Sequence, residues 1–287
     1  MALMKNTKKI LNKLKTRIWF SIYYGRYQKS KINDKMVFIE SRSGSDLAGN
    51  ILYITRELSQ NPEYRHLRLC LSAKPFKTDD VKAMLKQYNI NNIKLLRAES
   101  LKYYKYLSKS KYLVNDTSFP RRFIKKDGQV ILNTWHGTPL KNMGRDVENE
   151  VYNMGNVMRN LIFSDYLVFP NEYMKEKMVS AYMLKNLCKA TILNEGYPRN
   201  SVFFNNERRC ELRKEFNVDD KEIIVYMPTW RGKVNNFDTE RVIYEMTRFL
   251  EDMDCRLKDN QLMYVKYHPL MKLEFEPAIL QMFFKYF

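Results

Sequence analysis

One stretch collects the side chains best suited to act on a substrate: Thr134-Trp135-His136-Gly137-Thr138-Pro139-Leu140-Lys141, directly after the apolar run Val130-Ile131-Leu132. An unperturbed imidazole titrates near neutrality and can serve as a general base. A glycine lets backbone approach a ligand closely, a proline stiffens the exit, and a lysine supplies positive charge. His136 and Lys141 therefore suit proton removal beside a phosphate-binding cation. A single loop histidine is also commonly a hydrogen-bonded structural residue, and its type alone does not separate the two roles. Two later polar strings, Pro228-Thr229-Trp230-Arg231-Gly232 and His268-Pro269, also follow apolar runs.

Such residues need a scaffold that brings loops together. Apolar runs read as strands at Met36–Glu40, Leu67–Leu71, Ile93–Leu96, Tyr112–Asn115, Val130–Asn133, Tyr166–Phe169, Ile192–Asn194, Ile223–Tyr226 and Met263–Tyr267. Between them lie helical patterns near 47–58, 78–88, 99–109, 146–163 and 171–185. Strands alternating with helices predict α/β architecture with a doubly wound parallel sheet, whose ligand crevice lies beyond the carboxyl ends of the strands. The His136 loop falls there. Ser45 or Asp46 is expected to cap the first of these helices, and Asn171 the last. Gly196-Tyr197-Pro198-Arg199-Asn200 punctuates the chain like a hinge. The expected organisation is a basic segment 1–34, a first Rossmann-like lobe 35–195 and a second lobe 196–287.

The 287 residues carry a formal net charge of +18, and 45% are apolar, enough for substantial cores and too many for a largely disordered chain. Residues 1–35 hold ten Lys or Arg against one acid, Asp34, which supplies +9 of the total. Within them Ile10, Leu11, Leu14, Ile18 and Ile22 fall at helical spacing among basic residues, with Trp19-Phe20 alongside. A helix lying in a membrane interface and a helix packed on the globular body both fit this pattern. No apolar run reaches the roughly 18–20 residues that span a bilayer, and no secretory cleavage pattern follows Tyr24. Nucleic acid is not an expected partner, since no nucleic-acid-binding motif accompanies the charge. Cys70, Cys188, Cys210 and Cys255 are scattered and read as reduced thiols of a cytoplasmic protein. No acids cluster at metal-ligand spacing, so no protein-bound metal is implied; magnesium carried on nucleotide phosphates stays open.

The string Trp135 to Lys141, followed by Met143-Gly144-Arg145-Asp146, resembles the signature of the CDP-glycerol glycerophosphotransferase family, which builds teichoic acids and related poly(alditol phosphate) chains of Gram-positive bacteria. Ser164-Asp165-Tyr166 with Asn171-Glu172, then Gly196 to Asn200, Met227 to Arg231, and His268-Pro269 extend the resemblance in the family's order. It implies a GT-B-like fold, two Rossmann-like lobes facing a cleft. It also implies transfer of glycerol phosphate from CDP-glycerol to a hydroxyl of a membrane-linked acceptor, with release of CMP, at the cytoplasmic face of the plasma membrane in a peripheral enzyme. Related polymerases use CDP-ribitol, and that alternative stays open, as does single-unit against repeated transfer.

By position in the matching motifs, His136 is the expected base and Lys141 an electrostatic helper. Thr229, Arg231 and His268 are expected on the pyrophosphate, with Arg199 a further candidate. His66, between Arg65 and Arg68 with no motif, reads as surface or structural. The family normally continues for several β-α units beyond His268-Pro269. The chain is therefore expected to be truncated with an incomplete C-terminal lobe, and an inactive relative that only binds acceptor or membrane is an alternative function.

Overall fold

In the computed structural model, residues 11, 13–15, 17–148, 154–228 and 239–266 are described. Contacts divide the chain into Met1–Val202 and Phe203–Phe287. The division falls a few residues beyond the hinge expected at Gly196, because Tyr197 is buried in the first unit's core.

The first unit is built on seven parallel strands: β1 (Asn33–Glu40), β2 (Arg68–Ala73), β3 (Ile93–Arg97), β4 (Ser110–Asn115), β5 (Val130–Asn133), β6 (Tyr166–Val168) and β7 (Thr191–Leu193), in the order β3-β2-β1-β4-β5-β6-β7. Between them run α1 (Gly49–Gln60), α2 (Thr78–Gln87), α3 (Leu101–Lys109), α4 (Gly155–Phe163) and α5 (Glu172–Ala181). The chain winds outward from β1 to β3, returns to β4 on the other side of β1, and winds outward again. The carboxyl ends of β1 and β4 thus flank the topological switch point, where doubly wound sheets place their ligands.

Alternation along β1 explains the layers. Val37 and Ile39 join Leu47, Ile51, Val81 and Leu85 in one core cluster, while Phe38 joins Tyr103, Leu107, Phe119 and Phe123 in another. Phe38 and Tyr103 meet edge to face at 5.1 Å. Each such side chain, fully buried, contributes roughly 1.5–3 kcal/mol relative to exposure. A third cluster joins Trp135 and Tyr182 to the buried faces of α4 and α5.

Two local expectations are corrected. The helical pattern near 146–163 is interrupted: Gly144–Asp146 forms a short 3-10 turn, Val147 is extended (φ −95°, ψ 124°), and α4 begins only at Gly155. Neither Ser45 nor Asp46 caps α1; its N-cap is Ala48, and the Asp46 carboxylate accepts instead from the Leu47 N–H at 2.8 Å. The reason lies upstream, where Arg42, Ser43 and Gly44 all adopt left-handed φ (45°, 53°, 76°) and coil into a tight turn. Lys125 and Lys126, in the loop before β5, are structural. The Lys125 ammonium lies 2.6 and 2.7 Å from the two Asp165 carboxylate oxygens, and Lys126 donates to the Ser30 carbonyl at 2.6 Å.

The second unit pairs β8 (Glu222–Tyr226) with β9 (Gln261–Val265) in parallel, with α6 (Asn206–Glu215) and α7 (Thr239–Arg256) beside them. Met246, Leu250 and Val265 are buried within it.

Candidate functional site

The site starts where β5 ends. The Asn133 side chain accepts from the Trp135 N–H at 2.8 Å and donates to the Thr117 carbonyl at 2.9 Å, while the Thr134 N–H donates to the Asn115 carbonyl at 2.9 Å. This clamp holds Trp135 at φ 51°. For a bulky side chain the left-handed region costs about 1–3 kcal/mol. Burial opposes that cost: Trp135 is 4% exposed and meets Tyr182 at 5.8 Å. The backbone reversal sends the Trp135 ring into the core and the next side chain, His136, outward.

His136 is fixed from three sides. Its ring stacks on Trp135 at 4.4 Å with 28° between planes. Its Nδ1 lies 2.9 Å from the main-chain oxygen of Asp116, just past β4. A carbonyl can only accept, so the neutral ring carries its proton on Nδ1 and leaves the Nε2 lone pair available. Arg199 Nη1 donates to the His136 carbonyl at 3.1 Å, and the same guanidinium lies 4.8 Å over the Tyr197 ring. Burial pushes the Tyr197 phenol up to about 12, with Arg199 opposing, so it stays protonated.

Asp116 ties the two sides of the switch point together. Its carboxylate accepts from the Arg42 N–H at 2.7 Å and from the Ser41 hydroxyl at 3.3 Å. Burial raises its pKa, while the Arg42 N–H and the charges of His136 and Arg42 act the other way. Asn50, at the start of α1, donates to the Trp135 carbonyl and accepts from the Arg199 N–H, both at 3.4 Å.

His136 and Arg199 are thus brought together, within the first unit. Lys141 lies farther along the loop, exposed, on a small pocket of about 180 Å³ that Tyr173 and Lys177 of α5 also line. Gly144 holds this part of the loop against α5, because a Cβ there would sit 2.2 Å from the Ala181 carbonyl oxygen. Asn171 caps α5 through the Met174 N–H at 2.8 Å. His66 is exposed, with Nδ1 3.0 Å from the Glu63 carbonyl oxygen. Thr229, Arg231 and His268 lie outside the described residues.

Sequence reading missed Asp116, Arg42 and Asn50. Asp116 had a usable signal, since it directly follows Asn115, the end of a strand that was read correctly, and such ends line the crevice.

The arrangement is an exposed, oriented imidazole with a nearby guanidinium. It can take a proton from a hydroxyl beside an anionic group.

Comparison with known proteins places this geometry in a family. The model for CDP-Glycerol:Poly(glycerophosphate) glycerophosphotransferase matches residues 22–284. The teichoic acid poly(glycerol phosphate) polymerase of Bacillus spizizenii (strain W23) is 29% identical over 252 residues, covering 83% of this chain and 60% of that protein. The polymerase of the same name from Bacillus subtilis (strain 168) is 28% identical over 290 residues, covering 95% and 36%. The chain spans between about a third and three-fifths of the length of the curated relatives it matches. Among solved structures, the wall teichoic acid polymerase TagF superposes with a TM-score of 0.76 at 24% identity, over 98% of this chain and 68% of that one. A histidine-to-asparagine variant of TagF soaked with CDPG gives 0.73 at 24%, over 98% and 69%. At that identity the likeness establishes the fold, which is α/β and GT-B-like. With the family model covering nearly the whole sequence, the chain belongs to the CDP-glycerol:poly(glycerophosphate) glycerophosphotransferase family.

Proposed function

We propose that this chain transfers glycerol phosphate from CDP-glycerol to a hydroxyl of a membrane-held polyol phosphate acceptor, releasing CMP, in synthesis of teichoic acid or a related wall polymer. The observation that carries the reading is His136: its Nδ1 is committed to the Asp116 carbonyl, and its ring is presented outward at the carboxyl end of β5. Nε2 removes the proton from the acceptor hydroxyl. The acceptor oxygen then forms a bond to the β-phosphorus of the donor, and the bond from that phosphorus to the bridging oxygen breaks, sending the oxygen out with CMP. Alcohols are weak nucleophiles at neutral pH, and a positioned base contributes typically 10²–10⁴-fold.

Arg199 holds the histidine loop by its carbonyl and has further N–H donors for phosphate oxygens. Lys141 supplies positive potential on the acceptor side. Thr229, Arg231 and His268 are assigned to the donor pyrophosphate from their motif positions alone.

The basic N-terminal helix serves as the membrane contact. Leu11, Leu14, Ile18 and Ile22 are all exposed, at spacing that puts them on one helical stripe, while Tyr23 on another face is buried in the protein. Such a stripe among lysines and arginines fits an interfacial helix on anionic lipid. Among the described residues no helix is long and apolar enough to cross a membrane. The reading places the chain at the cytoplasmic membrane surface. It is supported by the family, by the names of the relatives and by CDPG in the TagF variant.

The test is CMP release from CDP-glycerol by the purified chain, given a lipid-linked glycerol phosphate acceptor, with the lengthened acceptor identified by mass. Acceptor-dependent CMP release with a product longer by one or more glycerol phosphate units is expected. A folded chain that releases no CMP would overturn the reading.

A further inference from the structure

A second concavity lies beyond the carboxyl ends of β1, β2 and β3, with Ser118 and Pro120 past the end of β4 also on its wall. It encloses about 770 Å³, and Glu40, Lys74, Arg97, Tyr103 and Ser118 contribute to its wall. That volume is in the range of small-molecule sites.

Its chemistry is mixed in an informative way. Lys74 donates to the Ser45 hydroxyl at 2.8 Å and forms no ion pair among the described residues. The Arg97 guanidinium has neither a hydrogen bond nor an ion pair among them, although Glu99 shares the wall. Two cations without carboxylate partners suit a phosphate. Around them lie groups that suit hydroxyls. Glu40, 2% exposed, accepts from the Ser72 hydroxyl at 2.7 Å and faces the Tyr103 hydroxyl, and the buried hydroxyl oxygen of Ser118 has no hydrogen-bond partner. Buried polar atoms are normally paired, so the unpaired Ser118 hydroxyl on the cavity wall points to a polar occupant.

The remaining wall residue of interest is Trp19. It belongs to the N-terminal helix whose other stripe, Leu14, Ile18 and Ile22, is exposed. One short helix therefore links an exposed apolar face to the rim of this polar cavity.

We infer that this cavity binds a phosphodiester-linked polyol segment of the membrane-held acceptor, with Lys74 and Arg97 on a phosphate, Ser118 on a polyol hydroxyl, and Trp19 at the end nearest the bilayer. The inference rests on the proposed transfer function for the identity of its ligand, and its binding step can be measured without turnover.

The experiment titrates the full chain with sn-glycero-3-phospho-1-glycerol, a soluble two-unit phosphodiester, and compares Arg97→Gln, Lys74→Gln and Ser118→Ala. Circular dichroism and melting temperature serve as fold controls. Each charge removal should weaken binding at least tenfold, and Ser118→Ala several-fold. With phosphatidylglycerol vesicles carrying the same headgroup, Arg97→Gln should lower binding at fixed helix sequence. Absence of probe binding by the wild type, or equal binding by the folded variants, would overturn the assignment. Inorganic phosphate competing as well as the diester would also overturn it, reducing the cavity to an anion site. A wild-type chain that binds the diester in this charge-dependent way but releases no CMP would count against the transfer reading and leave the site standing.

Discussion

His136 Nδ1 stands 2.9 Å from the main-chain oxygen of Asp116, so a side chain at the end of β5 is oriented by backbone at the end of β4. Because the acceptor is a carbonyl, the tautomer follows from the contact alone. Nitrogen NMR of labelled histidine should show His136 as the Nδ1-protonated tautomer in its neutral form. A dominant Nε2-protonated tautomer would contradict the geometry.

The carboxylate of the same residue has a different task, holding the Arg42 N–H and Ser41 hydroxyl across the switch point. Asp116→Ala leaves that N–H without its partner, and an unsatisfied buried donor costs about 1–3 kcal/mol. Chemical denaturation should show a loss of this size. An unchanged midpoint would show that the turn holds itself without Asp116.

Gly144 offers a steric prediction. At φ 55°, with a Cβ position 2.2 Å from the Ala181 carbonyl oxygen, alanine requires the loop and α5 to separate. Gly144→Ala should destabilise the chain by about 2 kcal/mol or more, within the range for backbone strain at such positions. A melting temperature equal to that of the wild type would contradict the close approach.

Glu40 gives a pH dependence with a defined sign. Burial pushes its carboxyl up to about 7, with the hydrogen bond from Ser72 opposing. Between the unfolded carboxyl range near pH 4.5 and the folded value near 7, the native state binds more protons than the unfolded chain. Its contribution to stability is complete below that window and is lost as pH rises through it, on the order of 3 kcal/mol in total. Glu40→Gln should flatten the fall in melting temperature between pH 5 and pH 8. An identical slope in the variant would assign the dependence to other groups.

The N-terminal helix can be tested by charge. Leu14 and Ile18 are 49% and 58% exposed, so Leu14→Glu with Ile18→Glu should leave the melting temperature unchanged. Sedimentation with phosphatidylglycerol vesicles should fall at least tenfold, since the apolar stripe and the electrostatic attraction are both weakened. Undiminished sedimentation would remove this helix from the membrane contact.

The fold was legible because its strands are short apolar runs bounded by polar loops. Val130–Asn133 was read with its observed limits, and the other eight strands differ from their readings by a few residues at the ends. His136 was legible for a related reason, lying just past such a run. The turn at Arg42–Gly44 was not, because three consecutive left-handed residues, one of them arginine, have no reliable local signature. Arg199 was read at a hinge, yet it folds back 63 residues in sequence to the His136 carbonyl. Asp116 reaches His136 through its backbone oxygen, which every residue type has. Contacts of that kind depend on which strands become neighbours, and only the sheet order supplies this.

Chemical rescue tests whether His136 Nε2 takes the acceptor's proton. His136→Ala should release CMP about 10²–10⁴-fold more slowly than the wild type, bind CDP-glycerol equally well, and regain part of its rate with added imidazole in proportion to the free base. A folded His136→Ala chain that transfers glycerol phosphate at the wild-type rate would show that another group takes the proton.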